Sequence, residues 1–223
     1  MAGFGRERGM SPDELRQKIR TRLVSSLSGG LDDYPYARRP FAGVGQILCV
    51  DYPESVTALT GDLPQRLALP VDELFAQGQA NVDAEPAGPP GPLADTGLML
   101  ISGESSFVAS KAANLAALVP QVTGPAPHGL VFCVPRHQAL VYGVVGPGWV
   151  ETVNYLARLA AAQARRAAAE GDMVSPLGYY RSPDGAVETL SGPSADESAE
   201  DGIRVTPEQA FQRHVMGTVP PAA

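Results

Sequence analysis

Apolar positions recur along this chain with two periods, about four residues and two, and the period predicts the elements. Leu15, Ile19, Leu23 and Leu27 repeat every four residues. Ser11, Pro12 and Glu14 stand before them as a capping box, and Gly29-Gly30 stands after, so the pattern predicts a first helix between these marks. Val44–Val50 reads as a strand, and Ser55–Thr60 alternates polar and apolar as a half-buried strand does. A second helix is expected from Pro70, with Val71, Leu74, Phe75, Gly78 and Val82 on one face. Gly78 costs about 1 kcal/mol against Ala inside a helix, so a close approach to a strand is expected there. Ala84–Pro92, rich in Pro and Gly, reads as an exposed loop.

The second half repeats the logic. Leu98–Ile101 is a short apolar run followed by Ser102-Gly-Glu-Ser-Ser106, where Ser105 and Ser106 are placed to cap a helix carrying Val108, Ala112, Leu115 and Val119. Leu130–Val134 and Ala139–Val145 are the most β-prone runs and form a hairpin. The longest helix runs from Gly148 to about Glu170, with Trp149, Val153, Leu156, Ala160 and Ala164 inward and Glu151, Arg158 and Arg165 outward. Leu177–Arg181 and Ala186–Leu190 flank the turn Ser182-Pro-Asp-Gly185. Thr206 and Pro207 start a last short helix anchored by Phe211.

This order predicts an α+β fold, a mixed β-sheet with helices packed mainly on one face. Two rough α/β units, 10–84 and 97–170, share one domain. The expected organisation is a flexible N-terminus over 1–10, a single domain over 11–190, an acidic disordered linker over 191–205 and a short helix over 206–216.

Composition narrows the function. A net charge of -7 argues against a dedicated nucleic-acid binder. No apolar run reaches the roughly 20 residues of a membrane span, and no apolar stretch follows the first charges as in a secretory signal. Cys49 and Cys133 sit in apolar runs, the usage of a reduced, cytoplasmic compartment. Cations cluster early (Arg6, Arg8, Arg16, Lys18, Arg20, Arg22, Arg38, Arg39). Anions cluster late (Asp184, Glu188, Asp196, Glu197, Glu200, Asp201), which reads first as a solvated helix face and a disordered acidic tail and, as the sharper alternative, as intramolecular docking or self-association through the two ends.

Candidate chemistry is sparse. The Ser102–Ser106 turn at a helix N-terminus is the best candidate place for an anion, which Ser105 and Ser106 could hold with Lys111, Arg136 and His137; the ordinary reading is a pair of capping serines, and no anion binding is expected. Glu104 opposes it, and neither a P-loop nor a G-x-S-x-G elbow is present. Cys133 and His137 as nucleophile and base need not face one another across the Pro135-Arg136 turn, and Cys133 falls in a run expected to be buried, where a thiol is inert; His128, Cys133 and His137 lack the paired spacing of a zinc set, and His214 reads as a helix C-terminal cation.

Asp51-Tyr-Pro-Glu-Ser-Val-Thr57, Val71-Asp-Glu-Leu74 with Ala80-Asn-Val82, Gly103-Glu104 with Ala109-Ser110, and Leu130-Val-Phe-Cys-Val-Pro-Arg-His137 resemble the YtpQ-like family of uncharacterised bacterial proteins, over about 45–145. Where that family tends to carry an acidic residue after Pro-Arg, this chain has His137. The resemblance implies a bacterial cytoplasmic α/β domain and carries no activity. The function expected is a non-catalytic protein-interaction or self-association domain, working with a protein partner or as a homo-oligomer, without cofactor or metal. The alternative is an enzyme or sensor for a small anionic ligand at the Ser102–Ser106 turn.

Overall fold

Helix α1, Pro12–Lys18, opens with the expected cap: Ser11 Oγ accepts from the Glu14 amide at 3.2 Å, with Pro12 at its start. It is shorter than expected. At Ile19 the backbone turns extended, and β1, Ile19–Ser25, takes over. A four-residue repeat is also two periods of a strand. Ile19, Thr21 and Leu23 are buried while Arg20, Arg22 and Val24 are half-buried, and the β-branched residues among them favour the strand. These are the properties of a computed structural model that describes residues 9–27, 30–122, 124–194 and 202–220. Arg6, Arg8, Gly29, Asp196, Glu197, Glu200, Asp201 and the Val119 side chain lie outside the described residues.

Strands β2 (Arg38–Phe41), β3 (Val44–Tyr52) and β4 (Ser55–Ala58) complete a first antiparallel sheet in which β3 takes β1 on one side and β2 and β4 on the other. Helix α2, Val71–Ala84, covers it with Leu74, Phe75, Gly78 and Val82 buried. A Cβ on Gly78 would stand 3.0 Å from the Arg20 carbonyl carbon and 3.1 Å from the Thr21 amide. The close approach expected there is present.

The loop over 84–92 ends in a small strand, β5 (Gly91–Pro92), beside β6 (Met99–Ser102). Proline is tolerated because β5 is an edge. The helix expected from Ser106 starts later, as a 3-10 stretch over Ala109–Asn114 leading into α3, Leu115–Val122. Strands β7 (Leu130–Arg136) and β8 (Ala139–Val144), helix α4 (Trp149–Ala169) and strand β9 (Gly178–Arg181) follow as read.

The disordered linker expected over 191–205 is corrected at both ends. Strand β10 runs Val187–Pro193 and pairs with β11, Ile203–Val205, placing Ser191 opposite Val205. Strand pairing uses the backbone, so a polar composition did not prevent it. Helix α5, Gln209–Phe211, continues as a π-helical turn to Met216. Phe211 is fully buried, with ring centroids 5.2 Å from Trp149 and 5.0 Å from Tyr180. The Glu188 carboxylate accepts from the Ala210 and Phe211 amides at 2.8–3.1 Å and so caps α5 from the sheet. The second sheet and its core therefore run well past the boundary expected at 190.

That sheet has the order β11-β10-β9-β7-β8-β6-β5. Every pairing among the described residues is antiparallel, so two antiparallel sheets replace the mixed sheet within the expected α+β class. One face carries α4 and α5 over Val131, Cys133, Val141, Tyr180 and Leu190. The other packs Phe132, Val134, Leu140 and Tyr142 against Val108 and Leu115, and against Leu23, Phe41 and Val44 of the first sheet. This seam is also hydrogen-bonded: Leu23 N donates to Ser110 Oγ at 3.0 Å, and Ala109 N to the His137 carbonyl at 2.9 Å.

Candidate functional site

Of the five candidate residues for an anion, Ser105, Lys111, Arg136 and His137 fall into two separate clusters and are already bonded. Lys111 is 5% exposed, and its ammonium donates to the carbonyls of Val82 (2.6 Å), Asp83 (3.1 Å) and Glu85 (2.8 Å). These carbonyls lie at the C-terminal end of α2, where Val82 O also accepts from the Glu85 amide at 3.2 Å, so Lys111 caps that end of the helix. All three of its N–H groups are used. Burial pushes its pKa down, against the pull of Asp83 and Glu85. Ser105 Oγ donates to Glu85 Oε2 at 2.7 Å and accepts from the Phe107 amide at 3.1 Å. The other Glu85 oxygen takes Arg20 Nε at 2.7 Å. Glu85, unnoticed in the sequence, is the hub of this cluster. Ser106 caps nothing, because the 3-10 stretch starts at Ala109 without a side-chain cap.

Arg136 and His137 belong to the second cluster. Arg136 Nε donates to Asp172 Oδ2 at 3.1 Å and its Nη2 pairs with Glu170 at 3.1 Å. His137 Nδ1 lies 2.7 Å from Asp172 Oδ1. Asp172, at the end of α4, had no signal in the sequence beyond being one more acidic residue. The structure does not gather the five candidates at one spot: Lys111 is spent on backbone carbonyls, and Arg136 and His137 on the carboxylates of Glu170 and Asp172.

What the turn does border is a cleft of about 450 Å³. Leu100 and Val141 are paired across β6 and β8, as are Ser102 and Ala139, so all four face the same way. Pro135 and Arg136 at the end of β7 extend the wall, and Leu159 and Gln163, one turn apart on α4, close the far side. Helix α4 packs mainly over β7, β9, β10 and β11, and the cleft opens at its edge above β8 and β6, where Val141 is buried and Leu100 half-buried. The floor is therefore apolar and the rim polar. Glu104 on the rim is exposed, with no ion pair among the described residues. Leu100 and Val141 were legible as strand residues, yet nothing in the sequence marked the side of the sheet that α4 would leave open.

The other candidate chemistry does not assemble. Cys49 and Cys133 are fully buried free thiols, each pushed up to about 12 by burial. Such thiols are protonated and inert at neutral pH. No group of three His, Cys, Asp or Glu among the described residues is placed to hold a metal, which leaves the His128, Cys133 and His137 set unassembled. No helix among the described residues is long and apolar enough to cross a membrane. Comparison with known proteins finds no matching family model, no matching curated protein and no matching solved structure.

Proposed function

We propose that this chain is a non-catalytic protein-interaction module whose cleft receives a large apolar side chain of a partner polypeptide, flanked by a cation that meets Glu104. The carrying observation is the cleft itself, apolar on its floor and bordered by one unpaired carboxylate. Its volume lies in the range that takes a buried anchor group. Charge favours a basic partner over a second copy. Four of the chain's own early cations are already engaged: Arg16 with Glu73, Lys18 with Glu14, Arg20 with Glu85, and Arg38 with Asp72. The net charge of -7 adds a long-range attraction for a basic chain. The resemblance to the YtpQ-like family supplies no activity that competes with this reading.

The test is a selection of random displayed peptides on the wild-type protein. The expected winners carry Leu, Phe or Trp beside Lys or Arg. Ala139→Arg, which fills the cleft, should abolish their binding, and Glu104→Lys should weaken it about tenfold or more. Winners that bind both variants as tightly as the wild type would refute the assignment.

A further inference from the structure

The turn joining β7 to β8 has two sides. Pro135, Arg136, Gln138 and Ala139 wall the cleft. His137, in their midst, is 7% exposed and turned into the seam toward β1. One carboxylate holds both sides, since Asp172 Oδ2 takes Arg136 Nε at 3.1 Å and Oδ1 lies 2.7 Å from His137 Nδ1. The charged groups around the ring come from each neighbouring element. Beta strand β1 brings Arg22, the end of α4 brings Asp172, and β7 brings Arg136. The 3-10 stretch gives the Ala109 amide to the His137 carbonyl, and its one titratable side chain, Lys111, is tied to α2.

His137 Nε2 and Arg22 Nε are both buried without a hydrogen bond of normal geometry. With Nδ1–H given to Asp172, Nε2 of the neutral ring carries a lone pair, and a second proton must arrive there, beside the Arg22 guanidinium. Burial first, then Arg22, hold the ring below the ordinary imidazole range, while Asp172 and the Leu23 backbone pull the other way.

We propose that His137 is the cleft's proton sensor: protonating it draws Asp172 from Arg136, shifts the 135–139 turn, and weakens the cleft's hold on a cationic occupant. The direction follows from charge. An imidazolium competing for Asp172 leaves Arg136 less neutralised at the cleft wall, which repels a partner's Lys or Arg. Only the effect on the occupant rests on the binding reading above; the coupling between ring and cleft stands on the shared carboxylate.

The two are separated by an NMR titration of the wild-type protein from about pH 7.5 to about pH 5. It follows the His137 ring together with the amides of Ser102, Gly103, Gln138 and Ala139. The cleft amides should move with the midpoint of His137, below the usual histidine value, and stay still in His137→Gln. Asp172→Asn, which removes the shared carboxylate, should uncouple ring from cleft and serves if His137→Gln does not fold. A titrating His137 with silent cleft amides, or a His137 that stays neutral until the protein unfolds, overturns the coupling. The selected peptides should bind the wild type several-fold more weakly at the lower pH and His137→Gln equally at both; equal binding by the wild type overturns the effect on the occupant. If no peptide binds through the cleft, the binding reading fails while the amide titration still decides the coupling.

Discussion

At the scale of single residues, the polar side chains that the sequence offered as chemistry turn out to satisfy backbone and carboxylate groups. Lys111 is the clearest. Lys111→Met keeps the apolar stem but takes the ammonium donor from the Asp83 and Glu85 carbonyls, while Val82 O retains the Glu85 amide at 3.2 Å, and buried acceptors without partners cost about 1–3 kcal/mol each. A loss of about 3 kcal/mol is expected in denaturant unfolding; a neutral variant would show that Lys111 is not the cap of α2. His137 gives a pH dependence whose sign is fixed by its surroundings. Its folded pKa is lowered, so the unfolded chain takes up the proton first. Stability contributed by the neutral ring is complete above the unfolded value of about 6.5 and is lost as pH falls below it. Unfolding free energy measured across that range should fall less steeply for His137→Gln than for the wild type. Neither role was legible. A lysine after Ser105-Ser106 looks the same in sequence whether it faces an anion or a helix end 26–29 residues upstream, and only the fold brings the α2 terminus to it.

At the scale of elements, the reading was good wherever period and punctuation agreed. Helices α2 and α4, the β3–β4 and β7–β8 hairpins and the Ser182–Gly185 turn all lie where the pattern placed them. It failed where one pattern served two periods. The stripe Leu15, Ile19, Leu23 is helical for its first turn and strand thereafter, because burial on β3 and β-branching outweigh the helical alternative. Composition also misled at Ser191–Pro193, where pairing needs only backbone groups. Gly78 is the element-scale test. Ala is the better helix former by about 1 kcal/mol, so Gly78→Ala would stabilise an isolated α2. Here the added methyl meets the backbone of β1 at 3.0–3.1 Å, against a strand held by seven paired positions with β3. The strand cannot yield cheaply, so Gly78→Ala is expected to destabilise by about 1 kcal/mol or more. A raised melting temperature would mean that α2 can lift away from β1.

At the scale of the whole molecule, the open question is which parts the core needs. The acidic, polar run after Leu190 suggests a dispensable tail, yet the sheet gains β11 there and the core gains Phe211, Val215 and Val219. These three are fully or almost fully buried, and Trp149 Nε1 donates to the Val219 carbonyl at 3.3 Å, so the tail is fastened at both ends of its helix. Removing it would expose Trp149, Tyr180 and Leu190 beside α4 and leave the Glu188 carboxylate without the amides it caps. Phe211→Ala alone should cost about 3–5 kcal/mol, the usual loss for a buried aromatic. Truncation after Leu190 should cost more and leave a chain that binds apolar dyes or fails to fold. The discriminating measurement is thermal unfolding of Phe211→Ala beside Met216→Ala, since Met216 is 53% exposed on the same turn. A fall of many degrees for the first and almost none for the second identifies the tail as core; equal, small effects for both would return it to the status of an appendage.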